Sequence, residues 1–453
     1  MRYFVLIWCC MICIGGMILP FIWKWNKDKT PNTLTITNNQ ETPILNKPIE
    51  NQHIPKEISL IMGGDALLHK AVYMDGKKES KPIESKKKQE QDSIDKTNKS
   101  ETKQNESNDN KYDFKIMLSL LAPIIQKHDL AFYNQESLLG GTQLGLSSYP
   151  AFNSPQEFGD SMLEVGFNLI SLANNHTLDR GEKGVLSSLE YWKRQSSKMD
   201  IIVAGSYESL KDRNTPRILE KNDITYTLLA YTYGTNGIPI PKGKEYLVNV
   251  YTKEMLKNDI KAIRDKVDLL IVSMHWGIEY TFIPTKEQRE IAKLLAELGV
   301  DIVIGNHPHV IQPIEMIGDC LIIYSLGNML SAQQGIERKI GMIVSLNIMK
   351  NEISFNTKPN TKESIANDSI LGESDLQVTS KVINTFGTRK ITIKDIKADL
   401  IYTYHDDKKK NFKIIPFNKL DNSILPRAND IKEEYIKIIG LNKQENIKIG
   451  IDY

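Results

Sequence analysis

The chain has 453 residues, 40% hydrophobic and 25% charged, enough for one large or two modest cores plus attachments. A net charge of +2 gives neither the basic footprint of a nucleic-acid binder nor a strongly acidic surface, so no nucleic-acid partner is expected. Of the four cysteines, Cys9, Cys10 and Cys13 lie in the first apolar run and only Cys320 in the body, which excludes an internal disulfide framework.

Tyr3 to Trp23 is an apolar run of the length that spans a bilayer as a helix, preceded by Arg2 and followed by Lys24, Lys27 and Lys29. It shows no lipobox-like stretch and no small-residue cleavage site, so residues 1–25 are expected to form an uncleaved transmembrane anchor. The flanking charges compete, but long domains translocate largely regardless of them. Local charge does not set the side; the expected location is the cell membrane, single-pass, with the body on the extracellular face. Residues 26–56, rich in Asn, Thr, Pro and Lys, read as a flexible spacer.

The body begins with a short apolar run, Ile58 to Met62, which reads as a buried strand ending in Gly63-Gly64-Asp65. Residues 76–111 are almost purely Lys, Glu, Ser, Asn, Gln and Asp, and predict a disordered insert. Helix and strand patterns then alternate. The apolar spacing predicts helices over Phe114–Gln126, Pro155–Val165, Gly184–Lys193, Met255–Arg264 and Lys286–Leu298. Between them come the predicted strands Leu130–Tyr133, Phe167–Leu172, Ile201–Val203, Tyr226–Ala230, Asp268–Met274 and Ile302–Ile304. Leu321–Tyr324 and Met342–Ile348 close a main domain of residues 57–350 with two more strands. Residues 351–453 form an extension with the strands Ile391–Ile393, Leu400–Tyr404 and Phe412–Pro416 and a terminal helix, Ile431–Ile439. Such alternation argues an α/β layered fold.

Polar residues recur at the ends of these strands: Asp65 and His69, Asn134 and Glu136, Asn174-Asn175-His176, His275, then His307 and His309. In α/β sheets ligands bind beyond the carboxyl ends of the strands, so these places can converge on one site. Carboxylate, amide oxygen and imidazole are the ligands of hard to borderline divalent metals. Two such ions can clamp the attacking and leaving oxygens of a phosphoryl displacement. Each motif alone has a plainer reading, because an Asp after a strand is usually a cap and a lone His a satisfied structural group. The conjunction is more specific: five of the eight histidines fall at strand ends. His307-Pro308-His309 is expected to be extended, with both imidazoles on one side.

Taken in order, Gly63-Gly64-Asp65, Asn134-Gln135-Glu136, Ser171 to Gly181, Ser273 to Tyr280, Gly305 to Pro313 and Tyr324-Ser325-Leu326-Gly327-Asn328 resemble the signatures of the bacterial capsule-synthesis proteins associated with poly-γ-glutamate capsules. The resemblance covers roughly residues 57 to 350. It implies a fold like that of the calcineurin-like metallophosphoesterases, a four-layered α/β/β/α sandwich. It also implies one or two divalent metal ions (Mn, Fe, Zn or Mg) held by Asp65, His69, Glu136, Asn175, His275, His307 and His309. His69 follows Asp65 at a wider spacing than the usual Asp-x-His. By the same resemblance His176 serves the leaving group, oriented by Asp179, while Asn174, Trp276, Glu279, Tyr280 and Asn306 face the substrate. Asn306 replaces a His that many members carry.

Two functions stay open. One is metal-dependent hydrolysis or transfer on a phosphoester or polymer substrate; the other is a non-catalytic scaffold in a membrane complex with capsule polymer synthase or export subunits. A nucleotide-binding loop of the G-x-x-x-x-G-K-[ST] type and a G-x-S-x-G elbow are both absent from the sequence.

Overall fold

The computed structural model describes residues 56–78, 111–351, 390–440 and 447–449. The expected anchor, residues 26–55 of the spacer and most of the insert lie outside the described residues. Among the described residues no helix is long and apolar enough to cross a membrane. The chain divides into Met1–His53 and Ile54–Tyr453, and every element below belongs to the second unit.

The strands are β1 (Glu57–Leu67), β2 (Leu130–Gln135), β3 (Leu169–Ser171), β4 (Ile202–Ala204), β5 (Leu219–Lys221), β6 (Ile224–Thr232), β7 (Leu269–His275), β8 (Ile302–Asn306), β9 (Ile314–Ile317), β10 (Cys320–Ile323), β11 (Asn328–Ser331), β12 (Ile340–Lys350), β13 (Ile391–Tyr404), β14 (Lys413–Pro416) and β15 (Ile447–Ile449). Among the described residues they make two sheets. One runs β14-β13-β12-β1-β2-β3-β4, with β11 also paired to β1 and β15 to β13; the other runs β5-β6-β7-β8-β10-β9. From β1 to β4 every pairing is parallel, and so are those from β6 through β7 and β8 to β10. The fold is thus mixed α/β with two sheets.

The strands from β1 to β4 and β6 to β8 read as near-continuous apolar runs because both faces of each sheet are covered. One buried cluster joins the sheets through side chains such as Leu60, Phe132, Leu228, Ile271, Ile304 and Val344. The outer face of the first sheet packs on helices Glu157–Val165 and Gly181–Ser196 through Phe158, Met162, Val185 and Trp192. Helices Lys253–Ile263 and Lys286–Glu297 cover the second sheet through Leu256, Ile260, Ile291 and Leu295. The latter begins at a capping box, Thr285 with Gln288, which fixes where the loop after β7 ends.

Several elements differ from the sequence reading. The helix expected over Phe114–Gln126 is two short ones, Lys115–Leu118 and Ala122–Ile125, with Pro123 opening the second. Ile391–Ile393 and Leu400–Tyr404 are the ends of one strand, β13. It pairs antiparallel with β12, so the residues after 350 complete the first sheet.

Candidate metal centre

Both sheets present the carboxyl ends of parallel strands to one place. β1 delivers Asp65 after Gly63-Gly64, where its pairing with β2 is irregular and Asp65 lies level with Asn134. Gly64 is required by a close approach: a Cβ there would sit 1.9 Å from the carbonyl oxygen of Gly327. Glu136 follows β2 directly and its amide donates to the Ala66 carbonyl at 3.2 Å. Asn174, Asn175 and His176 lie in the turn beyond β3. From the second sheet, β7 ends in His275 and β8 in Asn306, with His307 and His309 next.

Glu136, His307 and His309 are buried and each offers a ligand atom within 4.8 Å of the others. Both Glu136 oxygens and the Nδ1 of His307 are buried without a hydrogen-bond partner. A fully buried carboxylate in that state is unfavourable unless a cation answers it, so this donor set fits a divalent ion. Burial, reinforced by Asp65, Glu279 and Asp179 and opposed by His309, raises the Glu136 carboxyl well above the usual range. Burial alone would lower His309, but the charges of Glu136 and Asp65 outweigh it and hold the imidazole up at about 9. Its Nε2 lies 3.6 Å from Glu136 Oε1, and its Nδ1 lies 3.4 Å from Asp65 Oδ2 and 2.9 Å from Asn328 Oδ1. Burial and the neighbouring imidazoles His309 and His176 push His307 down to about 3, a neutral ring fit for a ligand.

Asp65, Asn175 and His275 stand beside this group. Asp65 accepts from Asn134 Nδ2 at 2.8 Å and from the His307 amide at 3.1 Å. His275 Nε2 lies 2.9 Å from Asn175 Oδ1 and 3.6 Å from Glu136 Oε1. Burial lowers the His275 imidazole well below its ordinary value. His176 Nδ1 lies 2.8 Å from Asp179 Oδ2, which also accepts from the Phe152 amide at 2.6 Å. Asn174 faces inward, its Nδ2 donating to the Gln135 carbonyl and its Oδ1 accepting the His176 amide.

Four expectations come out differently. His69 is not among the clustered ligands: it precedes helix Lys70–Asp75, its Nδ1 lies 3.1 Å from the Leu67 carbonyl and 3.4 Å from the Ala332 amide, and burial lowers it to about 4. Two residues of extra spacing carry it past Asp65 and beyond the end of β1. Trp276 is wholly buried in the core of the second sheet, its Nε1 donating to the Tyr324 carbonyl at 2.9 Å, and faces no substrate. Asn306 likewise turns inward, donating to Ser273 Oγ at 3.1 Å. His307-Pro308-His309 is not extended; both histidines have positive φ, 96° and 57°, so a tight bend brings the two rings together. Tyr280 is 43% exposed with its ring stacked 6.1 Å from that of His309, and Glu279 is half-buried beside it.

Sequence reasoning gave no role to Tyr233, Asn236 or Asn328. The Tyr233 ring lies 4.7 Å from that of His307. Asn236 Oδ1 accepts from Asn175 Nδ2 at 3.2 Å. The signal was present: Tyr233 to Gly237 is a polar turn after β6, the same placement that identified the other motifs.

A family model described as bacterial capsule synthesis protein PGA_cap matches residues 59–333. The PGA biosynthesis protein CapA of Bacillus subtilis (strain 168) is 31% identical over 196 residues, 42% of this chain and 49% of that protein. The capsule biosynthesis protein CapA of Bacillus anthracis is 30% identical over 203 residues, 44% of this chain and 48% of that one. The chain thus spans about half the length of the curated relatives it matches. Among solved structures, a putative 5'-nucleotidase from Staphylococcus aureus in complex with alpha-ketoglutarate aligns at 12% identity and a TM-score of 0.38, over 83% of this chain and 58% of that one. A hypothetical protein from Thermus thermophilus aligns at 14% identity and a TM-score of 0.37, over 64% of this chain and 93% of the other.

Proposed function

This chain belongs to the bacterial capsule synthesis protein PGA_cap family, and from that membership we propose that it is a membrane-tethered, metal-dependent phosphoesterase-like hydrolase of capsule polymer synthesis. The observation that carries this reading is the buried carboxylate of Glu136, both oxygens unpartnered, facing two imidazoles. Two helix-covered sheets meeting over one core support a four-layered metallophosphoesterase-like sandwich. Glu136, His307 and His309 would hold a divalent ion, with Asp65, Asn175 and His275 placed to help hold a second. Such an ion polarises a phosphoryl oxygen and acidifies water.

The chain's own residues do the rest. Asp179 holds His176 at Nδ1, which leaves Nε2 to pass a proton to a departing oxygen. The Phe152 ring packs edge-on at 4.7 Å and limits how His176 can turn. Asn174 fixes the backbone of the turn that carries Asn175. The apolar run Tyr3 to Trp23 supports tethering to the membrane; with the body outside, polymer synthase or export subunits would be its partners.

The test is metal content of the purified full chain together with phosphoester hydrolysis across Mn, Fe, Zn and Mg. His307→Ala should lower both metal stoichiometry and turnover. His176→Ala should keep its metal and turn over about a hundredfold more slowly. Unchanged metal content in His307→Ala would sink the site. Bound metal without turnover, together with normal capsule polymer in His176→Ala cells, would replace the hydrolase by the scaffold.

A further inference from the structure

Beyond the cluster, one cation is built into its rim. Tyr280 has a left-handed backbone, φ 64°, held by its amide donating to the Pro308 carbonyl at 2.8 Å. Pro308 sits between the two clustered histidines, so the bend that gathers them also fixes Tyr280. Its ring stacks 6.1 Å from that of His309, and the guanidinium carbon of Arg338 lies 4.7 Å from the ring centroid.

A second link runs through Asn328. Its Oδ1 lies 2.9 Å from His309 Nδ1, and its Nδ2 donates to the Arg338 carbonyl at 2.9 Å. Arg338 is therefore tied to a candidate metal ligand twice, through a stacked ring and through an amide. A guanidinium has five N–H donors. Here the carboxylate it meets is that of its neighbour Glu337, at 3.2 Å from Nη2, with both side chains partly exposed (27% and 34%). A pair of that kind is weak and exchangeable. Its Nε is buried without a partner. Arg338 also lies past residue 333, where the family match ends.

We propose that Arg338, carried on Tyr280 beside His309, is a specificity-determining residue that binds an anionic group of the substrate, a carboxylate or a phosphate. A planar fork suits either, since both offer two oxygens at the spacing of paired N–H donors. The inference rests on the proposed site for the reacting end of the substrate and adds the recognition of its charge. Glu337 would be displaced by the incoming anion, and Tyr280 keeps the fork oriented meanwhile.

Titration calorimetry of the full chain with inorganic phosphate and with glutarate tests this, each with added Mn²⁺ and after chelation, alongside metal content. The expected result is at least about tenfold weaker binding of one or both anions in Arg338→Ala, with metal content as in the wild type. Arg338→Lys should recover part of the loss, because it restores charge without the fork, whereas a merely structural role would show no such graded rescue. Which anion suffers identifies the chemistry. Anion affinities unchanged in Arg338→Ala, or no binding of either anion by the wild type, would overturn the proposal. A wild type that holds no metal but still loses anion affinity in Arg338→Ala would refute the metal site and leave this inference standing.

Discussion

Neutralising Glu136 should abolish the protein's response to metal while leaving the metal-free protein folded. In Glu136→Gln the shape of the side chain is kept and the charge removed. The native carboxylate is wholly buried and neither oxygen has a hydrogen-bond partner. Burial already holds that carboxyl well above its usual range, and Gln leaves an unpartnered buried oxygen in the same place. The substitution weakens the attraction that holds up His309, but Asp65 remains 3.4 Å from His309 Nδ1, so that imidazole keeps a carboxylate. Little change in melting temperature is therefore expected in chelator. With a divalent ion at about a hundred times its dissociation constant, the wild type gains about 2.7 kcal/mol and the variant gains nothing. Scanning calorimetry with EDTA and then with Mn²⁺ reads both effects. A variant that gains as much from Mn²⁺ as the wild type would refute the account of Glu136 as a metal ligand.

Two further outcomes follow from the packing. Burial opposes it, but the Lys350 ammonium at 2.7 Å and hydrogen bonds from Thr225 hold the Asp268 carboxyl below its ordinary value. Its contribution to stability is thus complete above about pH 4, the unfolded value, and is lost as the pH falls through the folded one; Asp268→Asn should melt lower at pH 7 and lose less between pH 5 and pH 3 than the wild type, and parallel acid limbs would contradict this. Gly64→Ala should destabilise by about 1–3 kcal/mol or more, because its Cβ would meet the Gly327 carbonyl and push β11 from β1; a denaturation midpoint equal to the wild type's would refute it.

The gathering of polar residues was legible because strand ends announce themselves: an apolar run stops and a polar residue follows. That rule found Asp65, Glu136, Asn175, His275, His307 and His309 at the ends of strands from both sheets. It failed where position depends on a backbone bend. His69 and Trp276 each sit within four residues of a clustered or adjacent residue, yet one turns back to the Leu67 carbonyl at the start of a helix and the other turns into the core. Proximity in sequence to a ligand does not give direction, because a turn reverses the side-chain alternation of the strand before it. The short strands Leu219–Lys221, Ile314–Ile317 and Asn328–Ser331 also escaped, since three or four residues carry too little period to read. β13 looked like two strands because polar Lys394, Asp395 and Lys397 interrupt it, and only its pairing with β12 shows the run to be continuous.

The centre lies across the meeting of two sheets, and what joins them there is mostly neutral. Asn134 Nδ2 reaches Asp65 on its own sheet and lies 3.3 Å from His275 Nδ1 on the other. Asn175 Oδ1 meets His275 Nε2, and the His307 amide donates to Asp65. An amide can donate and accept at once without adding charge, so it can sit among carboxylates and imidazoles at little desolvation cost. The charged approaches are longer, His309 to Asp65 at 3.4 Å and to Glu136 at 3.6 Å. The two jobs are thereby separable: neutralising Glu136 should remove the ion and leave the sheets docked, because the hydrogen bonds that cross between them do not include its oxygens.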